Sequence, residues 1–365
     1  MMTVKEVTNI LEELAPLAHA EEFDNVGLLV GDSNSIVTGI LVTLDTLENV
    51  VDEAIEKKCN LIVSFHPIIF KGLKKLTGAN YVERIVLKAI THSIAIYSMH
   101  TALDNSKMGV NAKICEVLGI QNPKILLPKK HTIKKLTTYA TYANANNIKF
   151  ALFEAGAGEI GNYSNCSFLT EGVGSFKPGE GSNPTQGEIG KIYYEKEEQI
   201  NVIYSFEKEK QVLDALFKTH PYEEVAYEIV TLENTNQDLG MGMVGTLETE
   251  MDETQFLNLV KDKMRTSMVR HSQLLGKKVE KIAVLGGSGA FAIGAAKKAK
   301  ADVFITSDLK YHQFYEAEGQ LVLADIGHFE TEQFTKDLLV DYLIKKIPNF
   351  AISLSESITN PIKYL

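Results

Sequence analysis

Between Val4 and Leu14 the apolar residues Val4, Val7, Ile10, Leu11 and Leu14 recur at three- and four-residue intervals, and Pro16 follows. That spacing predicts one buried helix face, ended by the proline. The runs VGLLVG and GILVTLD are β-branched and bounded by glycine, which predicts strands. Helical spacing returns in TLENVVDEAIEKK, and NLIVSFHP is then a continuous apolar run, as in a strand covered on both faces. The helical YVERIVLKAITHS and a strand over Ser93–Met99 repeat the alternation. Strand, helix and strand in succession predict crossover units around a parallel sheet, an α/β domain over residues 1–126.

From Leu127 the texture changes to half-exposed alternation. A strand at KLTTYA, a helix in NNIKFALFEAGAGEIG, the strands CSFLTEG, GKIYYEKEE and INVIYSF, a helix KEKQVLDALFKTH and a strand VAYEIVTLE follow one another. The β-α-β-β-α-β order predicts a ferredoxin-like α+β domain over 127–238. Within it GVGSFKPGEGSNPTQGEIG reads as a long loop, a mobile connection or a lid. After the glycine-rich NQDLGMGMVG, the runs KIAVLGGSGA, ADVFITSDL and QLVLADIGH restore the α/β texture. One α/β domain built from 1–126 and 239–365, with 127–238 inserted, is the economical organisation.

A chain of 365 residues has room for two or three domains. Its formal charge of −10 argues against a nucleic-acid backbone as main partner, because such binding works through excess lysine and arginine. Cys59, Cys115 and Cys166 form no paired motif and suit a reducing compartment. No leader pattern and no membrane-length apolar run is visible, so a cytoplasmic protein is expected.

Candidate chemistry lies in the histidines. His19, His92, His131, His220 and His271 stand in polar surroundings and read as ordinary surface or boundary residues. His66, His100 and His328 each follow an apolar strand, the position from which ligands are bound in open α/β sheets. Asp104 lies four residues past His100, and Glu332 four past His328, which puts the latter pair on one face of a helix starting near Phe329. Imidazoles with carboxylates form a ligand set for Zn, Fe, Mn or Co. A metal site of His66, Asp104, His328 and Glu332 is therefore chemically sensible, although strand-end histidines also serve as plain hydrogen-bonding residues. The GGSG at Gly286–Gly289 lacks the full dinucleotide fingerprint, so NAD is not expected, while its amides are candidates for holding an anion.

In order along both flanks, DNVGLLVG, SFHPIIF, MHTALD, GGSGAF, TSDLKYHQF and DIGHFETEQF resemble the GTP cyclohydrolase type-two homologue family, also called Nif-three-like. The inserted region, ending HPYEEVAYEIV, resembles the PII- or CutA-like domain of its longer members. The resemblance implies a dinuclear divalent-metal site in which His66 matches the second histidine of an H-H-P motif, Asp104 the aspartate, His328 a later histidine and Glu332 a bridging carboxylate. Phe65 stands where the first histidine would be, so one firmly held metal and a weaker or absent second are expected. His100 and His312 are candidates to replace the lost ligand or to shuttle a proton, and Asp24, Asn25, Ser307 and Asp308 to line the cavity. The implied activity is metal-dependent hydrolysis of a small nucleotide-like or phosphorylated substrate. A non-enzymatic metal- or metabolite-binding regulatory module is the alternative. Assembly as a trimer or hexamer is implied as well.

Overall fold

Along the strand Leu61–Ser64 the side chains of Leu61 and Val63 enter one apolar cluster and that of Ile62 enters another. The same alternation places Val42 and Leu41, Tyr97 and Ile96, and Val284 and Ala283 on opposite faces. Every one of these strands is thus covered on both sides. The computed structural model describes residues 1–365, which divide into one unit of Met1–Pro128 with Gln237–Leu365 and a second of Lys129–Asn236. The result is a mixed α/β fold with three sheets.

The first unit holds two sheets. One has the order Gly27–Val30, Ala95–Ser98, Leu61–Ser64, Ile40–Thr43, Ile352–Leu354, parallel except for the first strand. The other has the order Arg270–His271, Val322–Asp325, Val303–Ser307, Lys278–Ser288, Gly240–Asp252, Gln121–Pro128, with the second to fourth parallel. A central cluster joins the inner faces of both sheets to Val7 and Leu11 of helix Val4–Leu14, Ile114 of Val110–Leu118 and Leu339 of Thr335–Lys346. Helices therefore fill the space between the sheets. Outer faces are covered by Glu48–Glu56 and Tyr81–Thr91 on one sheet and by Ile293–Lys298 on the other. Each fully buried leucine or isoleucine here contributes about 1.5–3 kcal/mol.

Local signals set the element ends. Thr3 and Glu6 form a reciprocal capping box at the first helix, with Pro16 beyond its end. The strand expected over Ser93–Met99 is shorter, Ala95–Ser98, because Ser93 takes φ +54° in the turn before it. The helix expected near Phe329 begins at His328 itself. No helix is long and apolar enough to cross a membrane.

Near the C-terminus the chain is tied down by one carboxylate. Glu53 accepts hydrogen bonds from Ser355 Oγ, Glu356 N–H, Ser357 N–H and Ser357 Oγ, and from Lys57 Nζ at 2.8 Å. Burial opposes its ionisation, but these donors outweigh burial and hold its pKa at about 2. A depressed carboxylate stabilises the fold above its unfolded value, and that contribution is lost as pH falls from about 4.5 towards 2. Glu53→Gln should therefore cost about 2 kcal/mol at pH 7 and much less at pH 3, a convergence that urea titrations at the two pH values would read.

In the second unit the strands Ile133–Thr141, Phe168–Phe176, Tyr193–Ser205 and Tyr227–Thr231 form one antiparallel sheet, in the order second, third, first, fourth. Helices Tyr142–Glu154 and Glu209–Thr219 bury Ile148, Leu152, Val212 and Leu216 against Leu136, Ile200 and Val202. That order and connectivity are ferredoxin-like. Two sequence readings change here. Gly172–Phe176 belong to a strand, paired residue for residue with Tyr193–Glu197, so the loop starts at Lys177. His220 is buried, not a surface residue: its Nε2–H donates to Tyr139 O and its Nδ1 accepts the Tyr222 N–H.

Candidate metal centre

Parallel strands deliver their following loops to one end of a sheet. Asp45 follows Ile40–Thr43, His66 follows Leu61–Ser64, and His100 follows Ala95–Ser98. On the second sheet Asp308 follows Val303–Ser307 and His328 follows Val322–Asp325. Two short helices, His100–Asp104 and His328–Glu332, then carry a histidine and a carboxylate one turn apart.

The imidazoles share one arrangement. Nδ1 of His66 lies 2.8 Å from Asp45 Oδ1, Nδ1 of His328 lies 2.7 Å from Asp308 Oδ2, and Nδ1 of His100 lies 2.8 Å from Asp24 Oδ1. A neutral imidazole that donates Nδ1–H to an aspartate keeps a lone pair on Nε2, the tautomer a metal ligand needs. Nε2 of His66 and Nε2 of His328 approach the same oxygen, Glu332 Oε2, at 3.1 and 3.2 Å. Neither is aligned to hydrogen-bond with it, so this buried oxygen has no donor. His66, His328 and Glu332 offer three ligand atoms within 4.8 Å of one another.

Charge is concentrated here. Burial alone would lower the pKa values of His66 and His328, but Asp45 and Glu332 raise the first to about 10, and Asp308 and Glu332 raise the second to about 11, so a cation bound at the two Nε2 atoms would take the place of a proton on each. Glu332, although buried, is held at about 2 by the two imidazoles. Burial, followed by the charge of Glu332, pushes the Asp104 carboxyl well above the usual carboxylate range. Its Oδ1 is shut off from solvent without a hydrogen-bond partner. The orphaned Glu332 oxygen beside two Nε2 atoms fits a divalent cation, whereas Asp104, expected as a ligand, is not one of the three residues whose ligand atoms cluster.

A cavity of about 290 Å³ opens onto His100, Asp104, His328 and Glu332. Phe23 and Phe291 stand at it with 67% and 63% of their surface exposed, rings free to contact a ligand. Gly287 takes φ +70°, and a Cβ there would sit 2.5 Å from Glu332 Oε1, so only glycine leaves the carboxylate its place. The amides of Gly286 and Gly287 donate to Asn111 Oδ1 and Thr331 Oγ1. The Gly286 and Gly287 amides are consequently not open to an anion, which narrows the sequence reading to Ser288 and Gly289. The segment makes room for Glu332 instead.

Of the other expected residues, Asp24 has a fully buried side chain that braces His100 and also accepts from Thr101 N–H and Oγ1–H. Its pKa is about 2, since these donors outweigh burial. Asp308 orients His328, Asn25 donates to Ile69 O, and Ser307 donates to Gly287 O. His312 is exposed between Tyr311 and Tyr315 and does not line the cavity. Phe65 is fully buried, its ring centroid 4.9 Å from that of His66 and 5.5 Å, edge-on, from that of His100. The sequence reading missed Asp45, whose place at the end of an apolar strand was the same signal that marked His66, and it missed Phe23, Phe291 and Gly287.

The sequence profile of the Duf34/NIF3 family (NGG1p interacting factor 3) matches residues 2–361. A Bacillus subtilis protein called GTP cyclohydrolase 1 type 2 homolog is 38% identical over 367 residues, covering 99% of this chain and 98% of its own. The crystal structure of a Bacillus cereus protein related to NIF3 superposes with a TM-score of 0.87 at 36% identity, covering 100% of this chain and 99% of the other. That of a Staphylococcus aureus protein, SA1388, gives a TM-score of 0.79 at 30% identity with the same coverage.

Proposed function

The chain belongs to the Duf34/NIF3 family, and we propose that it is a divalent-metal-dependent hydrolase of a small nucleotide-like or phosphorylated substrate. One observation carries this reading. Glu332 Oε2 lies between two Nε2 atoms whose rings are each locked by an aspartate at Nδ1.

His66, His328 and Glu332 would hold the ion, with Asp104 as the fourth ligand. This nitrogen and oxygen set suits Zn, Fe, Mn or Co, at one or two ions per chain. Such an ion supplies Lewis acidity and a water-derived nucleophile at neutral pH. Asp45 and Asp308 keep the two imidazoles in the ligating tautomer. His100, with Nδ1–H held by anionic Asp24, keeps Nε2 to accept a proton at the cavity and is the residue we assign to proton transfer. His312 lies outside the lining, so that role rests on His100. The exposed rings of Phe23 and Phe291 suit a planar base. The relatives' name makes GTP, opened at its five-membered ring, the first substrate to try.

The test is turnover by metal-loaded protein against GTP and a panel of nucleotides and phosphate esters. Asp104→Ala and His328→Ala should each lower the rate by about a thousandfold or more while circular dichroism shows an unchanged fold. A metal-loaded parent without turnover on any of them would sink the enzyme and favour the second reading. In that reading the chain binds metal or a metabolite, and its PII/CutA-like unit passes the signal on. Phe65, which offers no lone pair beside His66, is the observation in its favour.

A further inference from the structure

Two stretches that the metal centre does not use, the Gly/Pro/Ser-rich connection after Phe176 and the sequence PYEE at 221–224, meet in the second unit. They enclose a cavity of about 460 Å³. Its aromatic walls are Tyr139, Phe176 and Tyr222, with Pro178 and Pro184 from the connection. The volume is that of a small-ligand site.

The cavity is built by specific contacts. Gly174 pairs with Glu195 and Gly172 with Glu197 across the hairpin. A Cβ at Gly174 would sit 2.1 Å from Glu197 Oε2, so glycine leaves the space into which Glu197 turns. Tyr222 OH donates to Glu197 Oε1 at 2.8 Å. Buried His220 fixes both tyrosine segments at once, accepting the Tyr222 N–H at 3.2 Å and donating to Tyr139 O at 2.9 Å. A single neutral tautomer makes both bonds. The connection is tied to the cavity wall by Asn183 N–H on Glu223 Oε2 at 2.9 Å and is closed on itself by Gly190 N–H on Pro178 O at 2.8 Å.

The lining selects its ligand. Glu195, Glu197, Glu223 and Glu224 face the cavity and no lysine or arginine does, so an anion is repelled. A hard metal ion needs six or more oxygen ligands. Here two of the carboxylates are already engaged by Tyr222 and Asn183, the Ser182 and Thr185 hydroxyls and the Gln186 amide oxygen are bonded to Gly179 O, Pro221 O and Tyr193 OH, and much of the remaining wall is rings and prolines. Aromatic faces with nearby carboxylates suit an ammonium group carried on an apolar body. We propose that the second unit binds an organic cation, an amine or quaternary ammonium compound, between Tyr139, Phe176 and Tyr222.

The experiment is calorimetric titration of the full chain with choline, benzyltrimethylammonium and spermidine, beside 3,3-dimethylbutan-1-ol, the uncharged isostere of choline. At least one cation should bind, and for choline the alcohol should be weaker by about tenfold. Tyr222→Ala and Glu197→Gln should each weaken the cation by about tenfold, and Tyr222→Phe, which keeps the ring, by less. Thermal melts of the three variants establish that they are folded. The proposal is overturned if all three cations bind more weakly than about 10 mM, if alcohol and choline bind equally, if zinc displaces the bound amine from the cavity, or if Glu197→Gln and Tyr222→Ala bind as the parent does.

Discussion

Exchange of Glu332 for glutamine is expected to strip the protein of its divalent metal. The carboxylate is the one group that approaches both Nε2 atoms, at 3.1 and 3.2 Å, and no donor satisfies its inner oxygen. An amide of the same shape removes the negative charge and can turn an N–H towards the ion. Loss of an outer partner of a ligand typically costs 10–100-fold in metal affinity, so loss of a ligand shared by two histidines should cost more than about a hundredfold. Elemental mass spectrometry after dialysis would read this as a fall from about one metal per chain to near zero. The metal-free fold should be kept, because glutamine has the same shape and removes the like charge beside Asp104, while His66 and His328 keep Asp45 and Asp308 as partners. Unchanged metal content in Glu332→Gln would remove Glu332 from the centre and with it the mechanism proposed above.

A second large effect is expected at Phe65. Its ring is buried against His66 and edge-on to His100. Phe65→His exchanges apolar burial for an imidazole whose nitrogens lack a partner unless a cation arrives. The metal-free variant should be destabilised by about 3 kcal/mol, and saturating zinc should recover most of that loss. Metal content should rise from about one towards two per chain. A parent that already carries two ions would show that another side chain, His100 first among them, replaces the missing ligand. A Phe65→His variant that loses stability without gaining metal would mean that this position does not reach the ion.

Much of the architecture is legible in local pattern. Leu61, Ile62 and Val63 are continuous apolar residues because both faces of their strand are covered, and such runs marked the parallel strands of both sheets. The edges were less legible, since Gly172 and Gly174 carry a loop composition and yet pair along a strand beside Glu197 and Glu195. The absent side chain of Gly174 leaves room for the Glu197 carboxylate, which is a fact about the partner strand. Likewise, polar neighbours in sequence gave His220 the look of a surface residue, whereas its hydrogen bonds run to Tyr139, far away in the chain.

At the metal centre, the sequence by itself determined which groups stand at strand exits. His66, His328 and Glu332 follow from apolar runs that must end and from an i, i+4 spacing, both of which are local properties of the backbone. Only the tertiary structure decided that two separate sheets aim these loops at one point, because which strand exits converge depends on how the central helices pack between the sheets. It also decided the tautomers, through Asp45, Asp24 and Asp308, and the role of Gly287 beside Glu332. Distances of a few ångströms between residues remote in sequence set the chemistry of the site, and periodicity along a chain carries no information about them.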